Sequence, residues 1–379
     1  MTTRLEIVLV CPSNEGWGES ATRSIYYPGG ILAVGSRVKD VMPNWNVALL
    51  DGELYKIKDL EQKLATTDFH FLGLSANTNN YQNCLRLAQL GKEKGATVIV
   101  GGPHATAVPL QILKNRPFID AVIVHDGEYA FLEYLKRCSH NVLDLSNIPN
   151  LFWRNPEGEI KNNKIMLPTE PPRFDELDFS LLPLQSYWAE HKKEFPEISE
   201  KFIQGFTHAG CTWRSKSGGC KFCDIPYPKN NYASPRRFWR DIKNIQRELG
   251  IESMKDYGDC LTGNPERVKA LLDSRPVDLE NFQLSCYARS KEITEEMADL
   301  LKALNVRYAY MGFDSGSNKM LQSMRQGYSV LHNYEATERL ARRGINITGS
   351  LIVGSEGETE ETLAETETFA HNLVQNPRL

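Results

Sequence analysis

Three cysteines in one short stretch carry the clearest chemical signal in this chain of 379 residues. Cys211, Cys220 and Cys223 follow a predicted strand, and no fourth cysteine pairs with them at a metal-ligand spacing. A structural zinc or iron–sulfur site normally has four protein ligands. Three thiolates on a four-iron cube leave one iron open, where a small molecule can bind and be reduced. The spacing therefore predicts a reactive [4Fe-4S] site.

The same stretch has a second interpretation as a zinc site. His208 lies three residues before Cys211 and could serve as the fourth ligand beside the three thiolates. Under this interpretation the chain is a non-catalytic zinc-binding or iron–sulfur protein. Replacing His208 would then be as damaging as replacing one of the cysteines.

Composition and charge limit the classes of function. Hydrophobic residues make up 41% of the chain and charged residues 24%, as in ordinary globular domains. The net charge of −4 offers no basic surface for nucleic acid or an anionic membrane, so we expect neither partner. The apolar run Ile7–Val10 is too short for a membrane span or a signal-peptide core. Eight unevenly spaced cysteines fit a reducing compartment and predict a cytoplasmic protein.

The first 140 residues alternate predicted strands and helices. The strands are short and apolar: Ile7–Val10, Val47–Leu50, Phe69–Ser75, Thr97–Val100 and Ala121–Val124. Helices are expected at Ile31–Val41, Tyr81–Lys94 and Ala130–Arg137. This alternation predicts a Rossmann-like, doubly wound parallel sheet covered on both faces. Ligands of such sheets bind outside the carboxyl ends of the strands, which is where small and polar residues collect in this sequence.

The pattern changes twice in the rest of the chain. Prolines punctuate residues 141–200, which we interpret as a linker with a hairpin at Asn155–Gly158. From residue 201 to 379 the alternation resumes, with predicted strands at Phe202–Thr207, Ser253–Tyr257, Phe282–Cys286, Tyr308–Phe313 and Ile347–Val353. Helices are expected at Pro235–Leu249, Pro265–Leu272, Thr294–Leu304, Tyr334–Arg342 and Glu360–Val374. This is an α/β-barrel pattern, and the three cysteines follow its first strand, where barrel active sites lie.

Several stretches together resemble the cobalamin-binding radical S-adenosylmethionine (SAM) enzymes, in family order. The first half resembles the B12-binding domain of that family at Tyr27–Leu32, Asp51–Glu53, Val100–Thr106 and Asp126–Glu128. The second half resembles its radical SAM barrel at Cys220–Cys223, Ser285–Arg289, Ile293–Met297, Gly312–Ser317 and Val353–Thr362. The resemblance implies a Rossmann-like cobalamin-binding domain at 1–140, a linker at 141–200 and a partial (β/α)6 TIM-like barrel at 201–379.

The resemblance also implies roles for single residues. Phe222 would lie by the adenine of SAM, Arg289 would bind its carboxylate, and Asp259, Asp314 and Ser315 would contact the ribose hydroxyls or the amino group. Cobalamin would be bound by residues after the strands of the first half: Ser13, Asn14, Ser75, Asn77, Gly101, Gly102, His104, Gly127 and Glu128. The cofactors implied are a [4Fe-4S] cluster, SAM and cobalamin, with an external electron donor of the flavodoxin or ferredoxin type.

Three features depart from the usual family pattern. Eight residues, Thr212 to Gly219, separate the first two cysteines, where the family usually has three. We expect this longer loop to bulge outward and turn at Gly218-Gly219. The glycine-rich turn after the last strand reads Ser355-Glu356-Gly357-Glu358, without the usual apolar residue and proline. Five barrel strands are visible where the family usually has six, so the last strand is atypical or the chain is cut short.

Cys260 and His70 each have a chemical interpretation and a structural one. Cys260 could exchange a hydrogen atom with the radical, although a small buried side chain is the alternative. His70 lies in an Asp-x-His-x-x-Gly pattern that ligates cobalt in some B12 proteins, but it runs into a predicted strand, and we interpret the match as chance. Because Cys11 to Gly30 contains no histidine, we expect cobalamin to bind without a histidine from that loop on cobalt.

Three functions follow from these observations. The first is a cobalamin-dependent radical SAM methyltransferase acting on an unactivated carbon or phosphorus of a small molecule or natural-product intermediate. The second is a radical SAM enzyme of rearrangement or cyclisation whose first domain binds no cobalamin, which the bulky, acidic loop Ser13–Glu19 favours. The third is the non-catalytic metal protein described above. Cobalt content separates the first two.

Overall fold

The computed structural model describes residues 5–14, 26–140, 142 and 144–375. Most of the Ser13–Glu19 loop therefore lies outside the described residues. The chain forms two compact units, one of Met1–Pro168 with Glu176–Glu190 and one of Thr169–Asp175 with His191–Leu379. Within the described ranges, no helix combines the length and apolar character that crossing a bilayer requires.

A seven-stranded sheet forms the centre of the first unit. Its strands are β1 (Glu6–Cys11), β2 (Asn46–Asp51), β3 (Phe71–Ser75), β4 (Thr97–Gly101), β5 (Ala121–Ile123), β6 (Leu151–Arg154) and β7 (Ile160–Asn162). They are arranged in the order β2-β1-β3-β4-β5-β6-β7, and the first five are mutually parallel. This arrangement confirms the predicted doubly wound parallel sheet.

Helices cover both faces of this sheet because its strands are apolar on both sides. The helices are α1 (Gly29–Val41), α2 (Ile57–Thr66), α3 (Tyr81–Glu93), α4 (Pro103–Ala107), α5 (Pro109–Asn115) and α6 (Glu128–Ser139). A further helix, α7 (Leu184–Glu194), contains the point in the chain at which the first unit ends. Alternate residues of β1 enter different cores: Val8 and Val10 join the core with α2 and α3, whereas Ile7 and Leu9 join the core with α1 and α6. Helices α2, α4, α5 and α7 were not predicted from the sequence.

Part of the expected linker belongs to the first sheet. Strands β6 and β7 form an antiparallel hairpin, and β6 also pairs antiparallel with β5. The turn at Asn155–Gly158 is present as predicted, with the Gly158 amide donating to the Asn155 carbonyl at 2.9 Å. The hairpin joins the sheet because Leu151, Phe152 and Trp153 are all buried there. The first compact unit is therefore longer than the predicted domain 1–140.

The second unit contains a sheet of five parallel strands and a separate pair of short strands. Its strands are β8 (Phe202–Gly205), β9 (His208–Ala209), β10 (Asn231–Tyr232), β11 (Ser253–Asp256), β12 (Gln283–Ala288), β13 (Val306–Asp314) and β14 (Asn346–Leu351). The parallel sheet has the order β14-β13-β12-β11-β8, and β9 and β10 form a separate antiparallel pair. Among the described residues the barrel-type sheet has five strands, where the (β/α)6 expectation has six.

Helices connect the strands of the second unit. They are α8 (Thr212–Ser217), α9 (Pro235–Leu249), α10 (Pro265–Asp273), α11 (Glu295–Ala303), α12 (Asn318–Met324), α13 (Val330–Arg342) and α14 (Glu360–Val374). The side chains of Ser234, Asn264, Thr294 and Thr359 each accept a backbone amide and cap a helix, which explains why α9, α10, α11 and α14 begin close to their predicted starts. The carboxyl ends of β8, β11, β12 and β13 carry the predicted site residues.

Candidate functional site

The loop that leads into Cys211 is held by hydrogen bonds from the neighbouring strand β11 and the loop after it. The amide of Gly210 donates to the Asp259 carboxylate at 2.6 Å, and Gly210 has a φ of +93°. A side chain there would place its Cβ 2.6 Å from the carbonyl oxygen of Lys229, so glycine is required. Burial raises the pKa of Asp259. One carboxylate oxygen of Asp259, a predicted SAM contact, therefore already holds the loop that leads into Cys211.

The eight residues between Cys211 and Cys220 form a short helix instead of an open bulge. Helix α8 takes up six of them, and Gly218 and Gly219 follow with φ values of +81° and +96°. These left-handed residues end the helix and turn the chain back towards Cys220, as their glycine content predicts. The amide of Cys223 then donates to the carbonyl of Cys220 at 3.1 Å, which closes a tight turn.

Two of the three cysteine sulfurs accept hydrogen bonds from arginines. The Arg289 guanidinium donates to Cys211 Sγ at 3.2 Å, and the Arg325 guanidinium donates to Cys220 Sγ at 3.0 Å. Burial raises the pKa of the Cys220 thiol, and the positive charge of Arg325 opposes this rise. Thiols that face cationic donors suit a negatively charged iron–sulfur cluster. The donor set therefore fits the predicted [4Fe-4S] cluster.

Arg289 is already engaged by neighbouring side chains. Its guanidinium donates to Glu292 through two nitrogens, one at 3.0 Å, and to the hydroxyl of Thr212 at 2.8 Å. The Glu292 carboxylate therefore occupies part of the fork that the resemblance assigns to the SAM carboxylate. Glu292 was not identified from the sequence, although its spacing of three residues from Arg289 is a usual sign of such a pair.

Asp314 and Arg325 form a second buried pair. Arg325 Nη2 lies 2.8 Å from Asp314 Oδ2, and both side chains are less than a tenth exposed. Burial raises the pKa of Asp314 to about 6, although Arg325 acts in the opposite direction. Asp314 is held at a φ of +61°, which side-chain-bearing residues seldom adopt. No pattern in the sequence pointed to Arg325, because it follows α12 far from the cysteines.

Phe222 and Ser315, two other predicted SAM contacts, have different surroundings. Phe222 is 46% exposed, and the Arg325 guanidinium lies 6.0 Å from its ring centre. The Ser315 hydroxyl is fully buried, pairs with Thr366 Oγ1 at 2.8 Å and accepts the Ser317 amide at 3.0 Å. These bonds keep the Ser315 hydroxyl inside the protein, and the contact of this residue with SAM stays a prediction.

The zinc interpretation fails at His208. Its Nε2 accepts the amide of Cys260 at 3.1 Å, and its Nδ1 contacts the Thr207 hydroxyl at 2.8 Å. Because both ring nitrogens have protein partners and the ring is only 1% exposed, His208 cannot join the cysteines as a ligand in this structure. In the part of the chain that the structure describes, no three His, Cys, Asp or Glu side chains, the three cysteines included, converge on a single metal ion, so the fit of the cluster rests on the chemistry of the cysteines and their arginine donors.

Cys260 is a packing residue by its surroundings. The side chain is 3% exposed, and its sulfur lies 3.4 Å from Glu292 Oε2 and 3.5 Å from Thr262 Oγ1. Burial raises the pKa of this thiol to about 12. These contacts favour the structural alternative over hydrogen-atom exchange.

A separate cavity opens at the carboxyl edge of the parallel strands in the first unit. About 650 Å³ of empty space lies within it, part of it open to solvent, and five glycines line it: Gly30, Gly73, Gly101, Gly102 and Gly127. No described atom lies within 4 Å of the position that a Cβ on Gly30 would take. The wall is thus open where a side chain would otherwise stand, as the close approach of a large ligand requires. This glycine-lined cavity fits the expected cobalamin.

The predicted cobalamin residues divide into two groups around this cavity. Ser75, Gly101, Gly102, Gly127 and Glu128 line it, whereas Ser13, Asn14, Asn77 and His104 do not. Burial raises the pKa of Glu128. Four further lining residues were not predicted: Gly30, Gly73, His125 and Phe131. Gly30 lies within the matched stretch Tyr27–Leu32, and His125 directly precedes the matched stretch Asp126–Glu128.

The predicted cobalamin residues outside the cavity make contacts within the loops beside it. Asn77 and Asn80 exchange hydrogen bonds between each side chain and the other backbone amide, at 2.8 and 2.9 Å. His104 stacks on Tyr81 with ring centres 4.0 Å apart. Within the described residues, Ser13 Oγ and Asn14 Oδ1 are buried with no hydrogen-bond partner.

His70 lies at the opposite edge of the sheet from the cavity. It directly precedes β3, and its Nδ1 accepts the amide of Glu6 at 3.0 Å, at the amino end of β1. It therefore cannot belong to a cofactor site at the carboxyl edge, which agrees with the interpretation of its motif as chance.

Comparison with known proteins matches each unit to a family. Residues 22–135 match the model of the B12 binding domain, and residues 207–370 match that of the radical SAM superfamily. A Pyrococcus horikoshii protein, the uncharacterised methyltransferase PH0819, is 26% identical over 97% of this chain and 78% of its own length. The anaerobic magnesium-protoporphyrin IX monomethyl ester cyclase of Rubrivivax gelatinosus is 22% identical over 83% of this chain, which spans only 56% of that protein.

A solved structure shows the same fold over nearly the whole chain. The radical SAM methyltransferase TsrM from Kitasatospora setae superposes with a TM-score of 0.70 at 17% identity, covering 97% of this chain and 71% of TsrM. Both domain types occur here in the order that the resemblance implies. The chain therefore belongs to the radical SAM superfamily, among the members that carry an N-terminal B12-binding domain.

Proposed function

We propose that this protein is a cobalamin-dependent radical SAM methyltransferase that acts on a small molecule. The observation that carries the proposal is that one chain holds both a glycine-lined cavity at the edge of its B12-type sheet and three cysteines after the first strand of its radical SAM unit. The PH0819 protein and TsrM, both described as methyltransferases, support methyl transfer as the reaction. The substrate's acceptor atom is proposed to be an unactivated carbon or phosphorus.

Each group of residues has a defined task in this proposal. Cys211, Cys220 and Cys223 hold the cluster, and the cavity that includes Gly30 and Gly101 holds cobalamin. When bound, these cofactors supply the 5′-deoxyadenosyl radical from SAM and the methyl group for transfer. Arg289 and Glu292 orient the Cys211 sulfur, while Asp259 fixes the preceding backbone turn. The predicted contacts of SAM remain Phe222, Asp259, Arg289, Asp314 and Ser315.

We further propose an external one-electron donor of the flavodoxin or ferredoxin type as a partner, and no nucleic acid. The net charge of −4 supports the second statement, because a phosphate backbone is bound by basic surfaces. A cytoplasmic location is supported by the eight cysteines, all of which are free of disulfides.

The test is metal content and label transfer in protein produced with cobalamin and purified without oxygen. The proposal expects about four irons and one cobalt per chain, and a methyl label on SAM that is recovered in the corrin fraction. Replacing Cys211, Cys220 or Cys223 by Ala should remove the iron but leave the cobalt. Iron without cobalt would favour the rearrangement or cyclisation enzyme, and absence of both metals would contradict the proposal.

A further inference from the structure

Arg325 lies between the cysteine loop and a buried carboxylate. Its Nε donates to Cys220 Sγ at 3.0 Å, while its Nη2 lies 2.8 Å from Asp314 Oδ2. The guanidinium also lies 4.7 Å from the ring centre of Tyr328 and 6.0 Å from that of Phe222. Because the Arg325 side chain is only 7% exposed, water competes little for these contacts.

Two backbone features hold this arrangement in place. Asp314 ends β13 with a φ of +61°, a conformation that persists only where the surrounding contacts determine it. The amide of Lys221 donates to the carbonyl of Met324 at 3.1 Å, which joins the cysteine turn to the residue just before Arg325. The contact between Arg325 and Cys220 is therefore supported from both sides.

We propose that Arg325, oriented by Asp314, is a positioning residue that hydrogen-bonds the Cys220 sulfur and thereby raises the reduction potential of the iron–sulfur cluster. This inference rests on the cluster of the proposed function and adds a residue that controls the reduction potential of the cluster. Uptake of one electron from the external one-electron donor makes the cluster more negative, and the donor is oxidised by one electron. An N–H donor and a positive charge at the cluster's sulfur stabilise the reduced form more than the oxidised form.

The alternative explanation for any effect of Arg325 is its charge alone. Arg325 and Asp314 together carry no net charge, so removing both side-chain charges at once leaves the local charge unchanged. The double variant Asp314→Asn/Arg325→Met therefore removes the N–H donor while the net charge of the pair stays at zero. A potential below the wild-type value in this variant shows that net charge alone does not set the potential.

The experiment measures cluster midpoint potentials in anaerobic, full-length protein without SAM, so that any role of Asp314 in SAM binding does not enter. The wild-type protein is first shown to hold four irons, because failure at this step concerns the proposed function and not Arg325. Arg325→Met should make one-electron reduction about tenfold less favourable, which corresponds to a midpoint lower by about 59 mV. Arg247→Met, on the exposed side of α9, is the matched control and should leave the potential unchanged.

The other variants decide the mechanism. The double variant should stay below the wild-type potential, and Asp314→Asn, which keeps the guanidinium but removes the carboxylate charge, should lie above it. An unchanged potential in Arg325→Met, or a return to the wild-type value in the double variant, would overturn the proposal. If the double variant folds, as shown by circular dichroism, but does not retain four irons, the potentials of Arg325→Met and Asp314→Asn decide the proposal. If neither Arg325 variant folds, an unchanged potential in Asp314→Asn overturns it.

Discussion

The surroundings of Lys255 change the pKa of its side chain. It lies in β11, only 5% exposed, with its ammonium group 3.7 Å from the ring centre of Tyr310 and 5.1 and 5.3 Å from those of Tyr257 and Tyr287. Burial lowers the pKa of Lys255 to about 7. The tyrosine faces act in the opposite direction, because they stabilise the charged form.

This pKa predicts an unusual dependence of stability on pH. Between about pH 7 and the ordinary lysine value of 10.5, the unfolded chain binds more protons at Lys255 than the folded chain, so stability rises with pH in that window. Lys255→Met should remove this rise and stabilise the protein at pH 6 by up to roughly 5 kcal/mol. Denaturant unfolding at pH 6 to 9.5 measures the effect. Lys269→Met, at an exposed site in α10, is the control, and equal slopes in both variants would refute the prediction.

The residue scale also shows what the sequence leaves open. Arg289, Asp259 and Asp314 are predicted SAM contacts, and the structure gives each of them a protein partner near the cysteine loop. Glu292 lies only three residues from Arg289, but Gly210 lies 49 residues from Asp259, and Arg325 follows Asp314 across helix α12. No local pattern encodes the last two contacts, so the sequence identifies these residues but not all of their partners.

At the scale of single elements, α1 forms one wall of the cavity in the first unit. Gly30 is the second residue of this helix and lines the cavity mouth. Its place in a helix means that a larger residue suits the backbone, because glycine is a weak helix former. The absence of a side chain there is therefore better explained by the ligand than by the fold.

Substitution at Gly30 separates stability from cofactor binding. Gly30→Leu should raise the free energy of unfolding by about 0.5–1 kcal/mol through better helix propensity. The same side chain would enter the cavity, so we expect at least a tenfold weaker affinity for hydroxocobalamin in an absorbance titration. Gly30→Ala is the matched control, with a similar gain in stability and a smaller loss of affinity. Unchanged binding by Gly30→Leu would place cobalamin elsewhere.

The turn after α8 provides a second prediction at this scale. Gly218 has a φ of +81° and open space around its Cβ position among the described residues, so only backbone strain opposes a side chain. Gly218→Ala should destabilise the fold by about 1–2 kcal/mol, measured by denaturant unfolding, while the iron content stays near wild type. Gly344→Ala, at a similar left-handed position with open space, provides the comparison. Loss of iron in Gly218→Ala alone would show that this turn aligns Cys220.

At the scale of the whole molecule, the chain has two compact units, and the predicted cobalamin cavity lies in the first. A ligand that binds only the folded form stabilises it by about 2.7 kcal/mol at a concentration one hundred times its dissociation constant. Adding hydroxocobalamin to the protein should therefore slow amide hydrogen exchange at the carboxyl ends of β1, β3, β4 and β5. Mass spectrometry of peptides from both units measures this. Protection confined to β8 and β11–β14 would contradict the assignment of the cavity.

The two units differ in how completely the sequence revealed them. Most strands and long helices of both units were predicted within a few residues, because short apolar runs and amphipathic repeats report burial directly. The hairpin of β6 and β7 was assigned to the linker, since prolines dominate that region and strand pairing at a sheet edge leaves a weak pattern. Helix α8 was missed because six residues are too few for a periodic signal.

The sequence by itself determined the class of chemistry and the order of the domains. Three closely spaced cysteines and glycines at strand ends are local features, and their spacing along the chain already limits what they can bind. Only the tertiary structure decided which side chains surround them. It placed Arg289 beside Cys211 and Arg325 beside Cys220, gave both nitrogens of His208 to protein partners and buried the hydroxyl of Ser315. The reason is physical: Arg325 follows helix α12 and the Ser315 partner Thr366 lies in helix α14, and such separated parts of the chain meet the strand ends only after the sheet has formed.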